Sequence, residues 1–284
     1  MKNSQKIKET ILKRTSVRSY LKKEIDENLK SHIESILSNE IQPPFNNTAK
    51  FYLVDKQNFS DQKLKLGTYG FISGSRYFIV GTIAKSNHCL EDFGFAMEQI
   101  ILQLTDLGLG TCWLGGTFKR SEFEKTIQIE KNQIIPAITP VGYPPSQKSF
   151  KEKIIKSLVK AKTRIPFNKL FFQNNFDTSI SDDVNPKYKE ALEMVRLAPS
   201  AENAQPWRVV LTESNKFHFF LKRKRIVEKT FPKIDLQKID MGIAMSHFEL
   251  YLNASGFKVK WSTDEDIKFL ENDYLQYIAS AEVV

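Results

Sequence analysis

A long-range repeat constrains this chain more than any other feature. Asp92, Gly94, Ala96, Met97, Leu102, Leu104, Gly108 and Trp113 recur in the same order as Asp240, Gly242, Ala244, Met245, Leu250, Leu252, Gly256 and Trp261. Every pair is separated by the same 148 residues (240 − 92), without a gap. Two unrelated amphipathic helices share an apolar period. They do not usually share an Asp, two glycines and a Trp in register, so the pattern reads as duplication. The period is far longer than the roughly 20–50 residues of a solenoid repeat. The sequence therefore predicts two similar halves, over residues 1–165 and 166–284, joined by the polar and irregular stretch 165–185. Phe167, Leu170, Phe171, Phe172 and Phe176 imply that this connection packs across the other half.

Periodicity along the chain gives an α+β class. Ser4 is placed to cap a first helix with Ile7, Ile11 and Leu12 on one face. Asp26 caps a second helix, with Leu29, Ile33, Ile36 and Leu37 inward. Strands are expected over Lys50–Val54 and Tyr77–Gly81, then a long helix from Glu91 to Leu107. Ser121–Glu124 and Ser149–Glu152 read as capping boxes. Ile134–Val141 reads as a strand whose two prolines favour an edge or an irregular strand. Pro186 opens the next helix, with Ala191, Leu192 and Val195 inward. Strands follow around Val209 and Phe219, a second long helix over about 235–255, and closing strands over Phe257–Trp261 and Tyr274–Ala279.

Three segments are richer than connectors need to be. Ala198-Pro-Ser-Ala-Glu-Asn-Ala-Gln-Pro-Trp207 lies between a helix and a strand. Short polar side chains beside prolines make a stiffened loop whose N–H groups, hydroxyl and amide can face a polar ligand; its plain alternative is an Asn/Pro turn. In Arg14-Thr-Ser-Val-Arg18, Arg14, Ser16 and Arg18 alternate and share one side of an extended chain. Two guanidinium forks flanking a hydroxyl suit a phosphate, and the plain alternative is a solvated basic strand. In Gly108-Leu-Gly-Thr-Cys-Trp-Leu-Gly-Gly116, Gly108 ends a helix. The other glycines let main chain approach a flat ligand, or simply break a strand.

Together these segments resemble the FMN-dependent nitroreductase family, with Val141-Gly-Tyr-Pro144 and Lys162-Thr-Arg164 as further points of likeness. The resemblance implies mixed and antiparallel sheets with flanking helices, duplicated here in one chain. Family members are typically homodimers that bind FMN at the interface, and in them the Pro-Ser-x-x-Asn loop follows the arginine motif within the same half. Here the loop lies near residue 200, and its expected place holds Ile41-Gln-Pro-Pro-Phe-Asn46, a relic at best. Half one keeps the arginine and glycine motifs and half two keeps the loop, so a fused pseudo-dimer with one intact flavin site is expected. By resemblance Arg14, Thr15, Ser16 and Arg18 hold the phosphate and ribityl chain, and Lys162 and Arg164 complete the grip. Pro199, Ser200, Ala201, Asn203 and Gln205 line the cofactor from half two, with Leu114, Gly115 and Gly116 along the ring. The stretch Gly67–Gly74 can also reach it. NAD(P)H would supply hydride, and a nitroaromatic, quinone or similar small molecule would accept it. No side chain need act as acid or base, so no catalytic residue is named. The alternative on the same fold is a non-catalytic flavin-binding or storage protein.

Composition bounds the remaining classes. Hydrophobic residues make up 41% and charged residues 26%, which argues against disorder. Lys and Arg exceed Asp and Glu, 42 to 33, with clusters between Lys148 and Lys169 and at Lys222–Arg225. No nucleic-acid module accompanies this charge, so it is read as steering anionic partners such as NAD(P)H. His32, His88, His218 and His247 lack ligand spacing, and no metal is expected. Cys112 has no evident base partner. The polar start, two cysteines and lack of a bilayer-length apolar run predict a cytoplasmic protein without a membrane or nucleic-acid partner. A fused pseudo-dimer can act as a monomer, with further homo-oligomerisation left open.

Overall fold

A computed structural model describes residues 3–59, 67–127, 129–145, 163–212, 215–224, 234–263, 267 and 274–284. Helix α1 (Ser4–Lys13) is capped by Asn3 rather than Ser4, because the Asn3 side chain accepts the Gln5 N–H at 2.9 Å. Ile7, Thr10 and Ile11 form its buried stripe, and Leu12, one residue further round, is exposed. Helix α2 (Glu27–Ser38) has the expected Asp26 cap, with Ile33, Ile36 and Leu37 buried. Strands β1 (Ala49–Asp55) and β2 (Tyr77–Ala84) pair antiparallel before the long helix α3 (Cys89–Asp106). Strand β3 (Gly110–Thr111), helix α4 (Arg120–Glu124) and strands β4 (Gln133–Ile134) and β5 (Ile138–Gly142) complete the first half.

Two local readings are corrected. Ser121 lies inside α4, whose N-cap is Lys119 without a side-chain bond, so 121–124 is not a capping box; the second proposed box, 149–152, lies outside the described residues. The strand expected over 134–141 is split, and its second part is interior rather than edge: β5 lies between β2 and β3, with Pro140 opposite Phe78. Near the proline, the Cys112 N–H goes to the Thr139 hydroxyl at 2.9 Å, so this side of the ladder runs through a side chain.

The connecting stretch is more ordered than its composition suggests. A 3₁₀ turn at Phe167–Lys169 leads into β6 (Phe171–Gln173), then come α5 (Pro186–Leu197), β7 (Trp207–Thr212), β8 (Lys216–Lys222), α6 (Leu236–Ala254), β9 (Val259–Ser262) and β10 (Leu275–Val283). The second sheet runs β6-β7-β8-β10-β9, and the first runs β1-β2-β5-β3 with β4 against the end of β2. Without β6 and β4 the two orders coincide, so the duplication extends from the long helices to both sheets. Strand β6 is the addition: it lies parallel to β7, with Leu170 and Phe171 fully buried. Among the described residues, β1 pairs only with β2.

Helices α3 and α6 pack face to face between the sheets. A Cβ on Gly94 would collide with the Ile239 carbonyl, and one on Gly242 with the Glu91 carbonyl. These contacts exchange under the repeat, as in an isologous two-fold interface. Both glycines are needed because main chain meets main chain at this crossing. One hydrophobic cluster runs through α1, α3, α5, α6, β7 and β8, so the halves share a core.

Candidate functional site

Both halves contribute to one pocket of about 190 Å³. Half one supplies Ser16 and Arg18, Phe71, Ala137, and the run Cys112–Thr117. Half two supplies Pro199–Glu202 and, from α6, Leu236, Ile239, Asp240 and Ile243. The arginine motif lies extended beside β3, with a parallel bridge from Ser16 to Thr111 and the Val17 N–H on the Thr111 carbonyl at 2.8 Å. Extension presents Ser16 and Arg18 on the pocket side while Val17 is buried.

Arg14 leaves that row. Its side chain is 9% exposed, and its Nε lies 3.9 Å from Glu98 Oε1 without a hydrogen bond. Glu98 is fully buried and accepts the Trp113 indole N–H at 2.7 Å. Arg164 stands near Arg14: burial first, then the Arg14 and Arg196 charges, lower its guanidinium to about 10. Burial raises the Cys112 thiol, outweighing the opposite pull of Arg18, which keeps it protonated at neutral pH. Thr15 is exposed and lines no wall of the pocket, and Lys162 lies outside the described residues.

The loop of half two is held on two sides. Glu202, Asn203 and Gln205 take positive φ values of 51°, 52° and 48°, a conformation uncommon outside glycine. Toward α6, the Ala201 N–H donates to Asp240 Oδ1 at 2.9 Å, and the Gln205 N–H to the Ser200 hydroxyl at 2.9 Å. On the other side, Gln205 Oε1 accepts the Ile165 N–H at 2.8 Å and Asn203 Nδ2 donates to the Thr163 carbonyl at 2.9 Å. Arg164 donates to Asn203 Oδ1 at 3.0 Å and to the Leu197 carbonyl at 3.1 Å. Pro199, Ser200 and Ala201 thus face the pocket, while the Asn203, Gln205 and Arg164 side chains clamp segment 163–165 to the loop.

The glycine motif makes the opposite wall. Leu114 exchanges both main-chain bonds with Ile138, at 2.9 and 3.0 Å. Among the described residues, nothing takes the N–H groups of Gly115 or Gly116. A Cβ on Gly115 would lie 2.5 Å from Leu236 Cδ2, so the glycine also admits α6. Sequence reasoning missed Asp240 as a wall residue, although its place in the repeat marked it. Burial raises its carboxyl well above the usual range, and among the described residues Oδ2 has no hydrogen-bond partner at the pocket wall. The stretch Gly67–Gly74 reaches the pocket through Phe71.

The symmetry-related place is filled. Asp92, the repeat partner of Asp240, accepts the N–H groups of Phe45 and Asn47 at 3.0 and 2.8 Å. Asn46 has a φ of 62°, matching Glu202. Pro43–Asn47 is therefore the counterpart of Pro199–Asn203, with Phe45 in the place of Ala201. His88 is the repeat partner of Leu236, and its ring stacks on Phe45 with centroids 4.0 Å apart and 13° between planes. Two stacked rings occupy what is open space in the other copy.

Among the described residues, no group of three or more His, Cys, Asp or Glu is placed to hold a metal, and no helix is long and apolar enough to cross a membrane. His218 and His247 are buried and hydrogen-bonded.

Similarities to known proteins agree with this architecture. A Thermotoga maritima structure described as a putative nitroreductase superposes with a TM-score of 0.61 at 20% identity, covering 98% of this chain and 93% of that one. A nitroreductase family protein of Clostridium novyi aligns at 24% identity and TM-score 0.40, over 53% of this chain and 90% of its own. An FMN-dependent nitroreductase of Clostridium difficile aligns at 22% and 0.39, over 55% and 97%. No curated protein matches. The sequence model described as "Putative TM nitroreductase" matches residues 6–252. That span includes every wall residue of the pocket, and the chain belongs to this nitroreductase family.

Proposed function

We propose that this chain is an FMN-dependent NAD(P)H oxidoreductase with one flavin site built from both halves. The observation that carries the reading is that Ser16 and Arg18 of half one and Pro199–Glu202 of half two line one pocket, with Leu114–Gly116 as its opposite wall. The fit to FMN rests on the chemistry of these walls. Guanidinium and hydroxyl donors line it, two glycine N–H groups are untaken among the described residues, and Leu236, Ile239 and Ile243 offer apolar surface to a flat ring.

Arg18 and Ser16 would hold the phosphate and ribityl chain, with Arg14 and Arg164 adding positive charge behind them. The Arg164–Asn203–Gln205 clamp would keep Pro199, Ser200 and Ala201 in place, and Gly115 and Gly116 would lie against the ring edge. FMN, when bound, supplies the hydride chemistry, taking hydride from a nicotinamide and passing electrons to a nitroaromatic, quinone or similar small acceptor. The protein's part is to bind, orient and exclude water, with the buried Asp240 carboxyl in the wall beside the site. With both halves on one chain, a monomer suffices for the site. Two free buried cysteines, Cys89 and Cys112, suit a reducing cytoplasm.

The test is the visible spectrum of the purified chain. A yellow protein that NADH or NADPH bleaches without oxygen, and that an acceptor restores, meets the expectation. A yellow protein that neither nucleotide bleaches favours the storage reading. Colourless protein that also fails to take up added FMN rejects both.

A further inference from the structure

A second pocket, of about 340 Å³, shares no residue with the first. It lies on the outer face of the second sheet. Strand alternation sends Trp207, Val209 and Leu211 into the main core and places Arg208 and Val210 on the opposite side. Val210 packs there with Phe220 and Tyr277, under Phe172 and Phe176. Arg208 is only 9% exposed, and its Nη1 donates to the main-chain carbonyls of Gln205 at 3.2 Å and Trp207 at 2.5 Å.

Those carbonyls satisfy one nitrogen and leave the charge uncompensated. Among the described residues no carboxylate pairs with Arg208, and burial lowers its guanidinium to about 10. Lys169 and Lys222 line the same pocket, Lys222 diagonally across the strand pair from Arg208. Nearby Lys224 is lowered by burial first, and then by Arg208 and Lys222. Among the described residues, Asp177 is the single carboxylate on the pocket wall, against three cations.

A buried guanidinium without a counter-charge is costly for a fold to keep. An anion from solution would complete this one. We propose that the pocket binds a small phosphate monoester. The planar guanidinium grips two phosphate oxygens, the two lysines balance the remaining charge, and Phe172 and Phe176 give apolar surface to the organic part. This assignment does not depend on the flavin reading.

The experiment is thermal unfolding of the full chain against inorganic phosphate and phenyl phosphate at constant ionic strength set with chloride. It compares the natural protein, Arg208→Met and Arg18→Ala. Phosphate should raise the natural protein's Tm in a saturable way, with phenyl phosphate acting at several-fold lower concentration. Arg18→Ala should keep this response, whereas Arg208→Met should weaken it at least tenfold. Without ligand, Arg208→Met should be no less stable than the natural chain, since methionine fills similar volume without charge. A response lost in Arg18→Ala and kept in Arg208→Met would assign the anion to the first pocket and overturn the proposal. No response beyond that to chloride would overturn it too. Should Arg208→Met fail to fold, Lys169→Gln/Lys222→Gln carries the same comparison, with the same tenfold weakening expected.

Discussion

Glu98 of α3 and His247 of α6 meet at 2.9 Å in the interface between the two long helices, both fully buried. The other ring nitrogen of His247 faces the Met194 carbonyl, also at 2.9 Å. Breaking such a pair leaves an uncompensated buried group, a loss of about 3–5 kcal/mol. Glu98→Ala should destabilise the chain by that order in urea unfolding. Adding His247→Leu should cost less than the sum of the two single changes; strict additivity would show that the pair is not coupled.

The crossing of α3 and α6 gives a second expectation. Gly242→Ala places a methyl group on the Glu91 carbonyl. Overpacking of this kind costs about 1–3 kcal/mol, and more where main chain must move. Gly256 has open space at its Cβ but a φ of +94°, so Gly256→Ala is strained by conformation alone. Calorimetry should show the larger loss of Tm for Gly242→Ala, and the reverse order would deny the close approach.

Asp92 links stability to pH. Burial outweighs its hydrogen bonds to Asn47 and Phe45 and raises its carboxyl to about 6, against roughly 3.9 in an unfolded chain. Its contribution is thus fully present below the unfolded value and is lost as pH rises through about 6. The stability difference between the natural chain and Asp92→Asn should therefore fall between pH 4 and 7, by roughly 2–3 kcal/mol. Denaturant unfolding across that range measures it, and a difference that grows with pH would reverse the assignment.

The Phe45–His88 stack predicts how much flavin the chain takes up. Flavin released by acid should amount to one per chain, and a ratio near two would mean that the stack opens. Phe45→Ala should leave the ratio at one, because the equivalent of the glycine segment in half two, Gly256–Trp261, lacks the glycine pairs of Gly108–Gly116.

Much of this arrangement was legible in the sequence, for identifiable reasons. The repeat stood out because Asp92, Gly94 and their partners perform the same two tasks in each half: capping a loop and admitting a neighbouring helix. Long helices and central strands were legible from periodicity, since burial on one face writes a regular pattern. Asn3, chosen over Ser4 as a cap, was not, because adjacent polar residues compete for that role on local geometry alone. The interior position of β5 was hidden by Pro140, which has no N–H to give the ladder and yet lies opposite Phe78 between two strands. At the site, the motifs coincide with segments that line the pocket but do not tell which side chain faces where. Arg164, Asn203 and Gln205 carry the polarity expected of cofactor ligands, yet they are occupied in clamping one another. Asp240 drew no functional reading because its sequence neighbours form an apolar helix.

The α3–α6 crossing lies within a single polypeptide, and this changes its thermodynamics. Two separate subunits fall apart on dilution, because their association depends on concentration. Tethered copies meet at a fixed effective concentration however scarce the protein becomes. One gene also encodes two versions of each position, so a substitution in one copy is not forced upon the other. A phenylalanine could fill one cleft while an alanine kept its twin open, a divergence that no homodimer can reach.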